Sequence, residues 1–157
     1  MVKFEVEIPV SGYHAGRYDF EELLSSLSQG AQDIVNREIA DRAANAEEFA
    51  DQFCVVTVVG HSDRDDTAGL TSEQRRESER QASRNRADNA VQWLFHQIVL
   101  RLQASGITPP TNLAELRRTS IFTAVAGAAD LEVKTPASEE DRRENRRVVF
   151  LVAHFKP

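Results

Sequence analysis

The apolar run Val55-Val56-Thr57-Val58-Val59 leads through Gly60-His61-Ser62 into Asp63, with Asp65 and Asp66 directly behind it. A chain that leaves a buried strand straight into acid places a carboxylate on a rigid support, where it can hold a cation or a hydrogen-bond donor at a fixed point. The plainer alternative is a turn, with Asp63 capping the strand end through its own backbone. His61, Ser62 and Asp63 are the residue types of a nucleophilic relay. Successive strand residues point to opposite faces, however, so three neighbours cannot line up as nucleophile, base and orienter. The four histidines, His14, His61, His96 and His154, show no metal-ligand spacing, and no metal or cofactor is expected. His96 falls within an apolar helical stretch and reads as a core or rim residue.

A second concentration of chemistry is cationic. Arg75, Arg76, Arg80, Arg84 and Arg86 fall close together, with Arg76, Arg80 and Arg84 at steps of four and Glu73, Glu77 and Glu79 between them. That spacing predicts a solvated helix face with acidic and basic partners rather than a phosphate track. No aromatic residue interrupts the run to stack bases, and the chain carries a formal charge of −6, so nucleic acid is disfavoured as a partner. Arg86 reads either as a solvated residue or as a structural partner of Asp63. Arg146 and Arg147, near the end of the chain, read as braces against nearby acid.

The elements that must position these residues follow from periodicity. With 157 residues and 41% apolar content, the chain can bury one sizeable core, and a single domain over 1–157 is expected. Val2, Phe4, Val6 and Ile8 alternate with Lys3, Glu5 and Glu7, the pattern of a half-wet strand. Asp19 with Glu22 forms a capping-box pattern that opens a helix on Leu23, Leu24 and Leu27. A break is expected at Ser28 to Gly30, with resumption through Ile34, Val35, Ile39 and Ala43. The run 53–60 is apolar at nearly every position and is expected inside the sheet. Thr71 and Gln74 cap a long helix that stops near Gly106, its stripe of Ala87, Val91, Leu94, Ile98 and Leu102 facing the core. Strands are expected at 120–127 and 146–155. The order β-α-β-α-β-β predicts an α/β (α+β) sandwich with a mixed sheet of about four strands and helices on one face. Cys54, the single cysteine, lies in an apolar run and reads as a buried structural thiol.

Together with that order, three joint motifs carry a resemblance: Gly60-His61-Ser62-Asp63 at a strand end, Ala82-Ser83-Arg84-Asn85-Arg86-Ala87 in the second helix, and Asn145-Arg146-Arg147-Val148 leading the last strand. Val91, Trp93 and Leu94 continue it in register. They resemble the OmpA-like peptidoglycan-binding domain of outer-membrane proteins, peptidoglycan-associated lipoproteins and flagellar stators. The match is clearest over residues 50–155. The resemblance implies non-catalytic binding of the diaminopimelate in the peptidoglycan stem peptide, with Asp63 on its ammonium, Arg86 on its carboxylate, and Ser62, Ser83, Asn145 and Arg147 in support. A guanidinium suits that carboxylate because it grips by a two-point fork that lysine cannot reproduce.

The chain departs from the motif in a longer loop before the helix, in Asp66 where the motif has glycine, in Glu79 where it has asparagine, and in Ala82 where it has leucine. The extra residues are expected to extend the second helix, where they would roof the pocket or obstruct it. The resemblance places the protein in the periplasm or cell envelope. The first residues pass straight into a strand pattern with no signal-peptide core, and no run is long enough to span a membrane. The alternative is therefore a cytoplasmic or particle-associated protein: a structural or wall-anchoring subunit of a phage-tail-like or contractile injection particle, partnered by other subunits.

Overall fold

The computed structural model describes residues 2–156, apart from the side chain of Val2, whose place in the alternation lies outside the described residues. The chain runs β1 (Val2–Ser11), α1 (Phe20–Ser26), α2 (Gln29–Val35), a π-helical turn (Asn36–Asp41), α3 (Arg42–Glu48), β2 (Phe53–His61), α4 (Ser72–Ala104), β3 (Thr119–Gly127), α5 (Glu139–Asn145) and β4 (Arg147–Lys156). The strands form one sheet in the order β1-β4-β2-β3. β4 is antiparallel to both β1 and β2, whereas β3 is parallel to β2, so the sheet is mixed. β2 lies inside the sheet, as its continuous apolar run requires.

The expected helix break is real. Leu27 closes α1 by donating its N–H to the Leu24 carbonyl, and Ser28 opens α2 by accepting from the Ala31 N–H. The extended Leu27 separates the short α1 from a helical run that continues from Gln29 through the π-helical turn to Glu48. The core lies between the helices and one sheet face, joining Phe20 and Leu23 of α1, Ile39 of the π-helical turn, the α4 stripe, and Val56, Val58, Val148 and Phe150 of the strands. Phe20 stands 4.8 Å from Trp93 and 5.4 Å from Phe150 between ring centroids. Each such buried ring contributes on the order of 2 kcal/mol through area removed from water. Cys54 is buried and free, and burial pushes its thiol up to about 12, which suits a packing role.

Several details differ from the sequence reading. A fifth helix, α5, precedes β4, started by a Ser138–Asp141 capping box. Ile34 is exposed rather than part of the core stripe. His96 is exposed too. Arg76, Arg80 and Arg84 do lie on an exposed helix face. None of them makes an ion pair among the described residues. The face is hydrated rather than braced. Lys3, Glu5 and Glu7 do occupy the sheet face that carries no helix.

Candidate functional site

Gly60 explains how the first two motifs come together. A Cβ there would stand 1.9 Å from the Ser83 carbonyl oxygen, so only glycine lets the α4 backbone lie directly on the end of β2. One turn further along α4, Arg86 is thereby brought over the strand end, where its Nη1 donates to the His61 carbonyl at 2.9 Å. The β2–β3 register shifts between Gly60 and His61, and the Ser62 N–H donates to the Gly127 carbonyl at 2.9 Å. Such a bulge turns the next residues away from the ladder. It delivers Ser62 and Asp63 to a cleft.

Asp63 is 7% exposed, and its two carboxylate oxygens are both held by side chains of α5, near the chain's far end. Oδ1 accepts from Asn145 Nδ2 at 2.9 Å, and Oδ2 accepts from Arg142 Nη1 at 2.6 Å. Asn145 is fully buried and is itself fixed by the backbone of Val133, which it meets with both amide atoms. Arg142 reaches with its other terminal nitrogen to Asp66 Oδ2, again at 2.6 Å. Those two carboxylates, Asp66 foremost, hold the Arg142 guanidinium more firmly charged than usual.

Arg86 is the opposite case. It is 3% exposed, and its partners are two backbone carbonyls, His61 and Arg17, with the ring of Tyr13 at 5.2 Å from its guanidinium carbon. No carboxylate lies within ion-pair distance of it among the described residues. Burial pulls it down to about 10, so it remains charged at neutral pH. A buried cation without a counter-ion is a costly arrangement, only partly offset here by its two carbonyl partners.

Asp63 and Arg86 line one cleft of about 490 Å³, together with Ser62, the loop 64–67, Ser78, Glu79 and Ala82 of α4, and Arg142 and Arg146. The Ser62 hydroxyl is buried and has no hydrogen-bond partner among the described residues. The extra residues before the second motif extend α4 toward its N-terminus. Glu79 accepts the Asp65 N–H at 3.0 Å, fastening the loop to the helix so that the extension walls the cleft instead of filling it.

The four supporting residues divide. Ser62 lines the cleft and Asn145 fixes Asp63. Ser83 is fully buried at the Gly60 contact, its hydroxyl donating to the Glu79 carbonyl, and is part of the helix–strand seam. Arg147 points to Asp130 and Glu132 on the far side of the strand end and lies outside the cleft, the bracing role read from its sequence context. Arg142, which holds Asp63, had no sequence assignment; the Ser138–Asp141 capping box that founds its helix was the available signal. His61, also buried, has an Nδ1 with no hydrogen-bond partner among the described residues, and its proton affinity is lowered by burial and then by Arg147 beside it.

No family model matches the chain, and no curated protein matches it in sequence. Solved structures do. The cell wall anchor of the T6SS from Pseudomonas aeruginosa is 17% identical, with 98% of this chain and 82% of that one covered and a TM-score of 0.43. The C-terminal domain of Helicobacter pylori MotB is 18% identical over 92% of this chain and 83% of its own, also with a TM-score of 0.43. A putative MotB like protein from Desulfovibrio vulgaris is 18% identical over 96% and 74%, with a TM-score of 0.35.

Proposed function

We propose that the protein is a non-catalytic cell-wall anchor that binds peptidoglycan through the diaminopimelate of its stem peptide. The observation that carries this reading is Arg86, a buried guanidinium without a carboxylate, in the same cleft as the strand-end Asp63. Diaminopimelate ends in an ammonium and a carboxylate on one carbon, and the two side chains offer the matching charges. Arg86 takes the carboxylate, gaining the anion its burial lacks, and Asp63 takes the ammonium. The Ser62 hydroxyl supplies a further donor on the floor of the cleft. No bond is made or broken, so the protein is not an enzyme. The motif resemblance supports the same ligand and a site of action at the cell envelope.

The test is a pull-down with purified sacculi of the diaminopimelate type. Wild type should sediment with the wall, while Asp63→Ala and Arg86→Ala should stay in solution. Removing either charge leaves its opposite number unpaired in a buried site, a loss of about 2–5 kcal/mol of binding. Variants that sediment as well as wild type would remove both residues from the site.

A second reading has its own support. The Asp63 carboxylate is already satisfied within the chain, and the helix-free sheet face exposes Phe122 (57%), Leu151 (42%) and Phe53 (44%). Both features suit a structural subunit of a phage-tail-like or contractile injection particle, with the sheet face covered by a neighbouring subunit and the cleft left without ligand. Light scattering on native material separates the two: a defined complex favours the subunit, and a monomer that binds sacculi favours the free anchor.

A further inference from the structure

The contact between Arg142 and Asp63 has a consequence for affinity. Arg142 places a cationic N–H donor on Asp63 Oδ2 at 2.6 Å, the same chemistry that an incoming ammonium would offer that oxygen. The other oxygen is bound to Asn145, which is fully buried and fixed to Val133, so it is not the one to yield. Arg142 can yield. Its side chain is 30% exposed and sits on a seven-residue helix at the rim, and its second anchor, Asp66, is 58% exposed on the loop. Asp66 stands at the position where the motif has glycine, a residue with no carboxylate to offer, so the two-carboxylate grip depends on a side chain that this sequence has added.

We infer that Arg142, held across Asp63 by Asp66, is an internal competitor for the ligand's ammonium and sets the affinity of the cleft, an inference that rests on the peptidoglycan reading above. On binding, the ammonium replaces Arg142 on Asp63 Oδ2, and Arg142 turns out to solvent, giving up Asp66 as well. The charge facing Asp63 is unchanged through the exchange, because one cation leaves it as another arrives. The Asp66–Arg142 contact thus works against the ligand even though it never touches it.

The experiment is a calorimetric titration with a diaminopimelate-containing muropeptide of wild type, Asp66→Asn, Arg142→Gln and, as a control for lost charge, Asp65→Asn. Folding of each variant is checked by Trp93 fluorescence. Releasing a partly exposed ion pair should tighten binding by about two- to fivefold in Asp66→Asn and by roughly tenfold in Arg142→Gln. Asp65→Asn, which removes the same charge without touching Arg142, should not tighten it. If Arg142→Gln does not fold, Asp66→Asn still decides. Wild type that binds with Asp66→Asn equal or weaker would overturn the competitor while leaving the anchor intact. Binding by neither wild type nor any variant would overturn the anchor, and the competitor with it.

Discussion

Arg86 and Asp63 show how differently two buried charges can be treated within one cleft. The carboxylate is satisfied by Arg142 and Asn145, whereas the guanidinium has only carbonyl partners and an aromatic ring. The residue that makes their meeting possible is Gly60. Gly60→Ala would drive a methyl into the Ser83 carbonyl, with no flexible side chain to move aside. The substitution should cost about 1–3 kcal/mol, read as a lower urea midpoint at unchanged slope. His61 adds a pH dependence. Its folded-state value is depressed by burial and by Arg147, so the unfolded chain binds a proton first as pH falls. Its contribution is complete above its ordinary value of about 6.5 and is lost below it. His154, depressed by burial and by Arg42 and Lys156, acts in the same sense. Stability should therefore fall between pH 7 and pH 5, and His61→Gln should flatten part of that fall in urea titrations at each pH.

At the scale of elements, much was legible in the sequence. Period-two and period-3.6 patterns mark β1, α1 and α4 because each is half buried, and Ser28 marks the helix break because a capping side chain must stand there. β3 was found as a strand, yet its place at the sheet edge, with Phe122 in solvent, could not be read from a run that looks internal. α5 escaped because its seven residues, EEDRREN, carry charge but no apolar stripe; its only signal is the capping box. That helix supplies both Arg142 and Asn145 to Asp63. Ser138→Ala should accordingly cost about 0.5–2 kcal/mol of stability, measured by thermal unfolding, through the lost cap. Of the supporting residues, Ser83 and Arg147 were carried into the site by adjacency in the motifs. Sequence proximity does not tell which face of a helix or strand end a side chain leaves by.

As a whole, the molecule packs α1, the π-helical turn, α4 and three of the strands into one buried cluster around Phe20, Trp93, Leu94 and Phe150. A core shared so widely should unfold as a unit, so urea transitions followed by Trp93 fluorescence and by far-ultraviolet circular dichroism should superimpose. An earlier fluorescence transition would mean that the Trp93 region loosens separately. The middle and the far end of the chain meet at the cleft, because Asp63 and Arg86 come from the one and Arg142 and Asn145 from the other, and the β2–β4 pairing brings them together. The most direct measurement of the anchoring role is calorimetric titration of the wild-type chain with two muropeptides that differ in one group: a diaminopimelate form, and a lysine form without the carboxylate meant for Arg86. Saturable binding of the diaminopimelate form, with the lysine form weaker by at least about tenfold, is the predicted result. Equal binding of the two, or no binding of either, would contradict it.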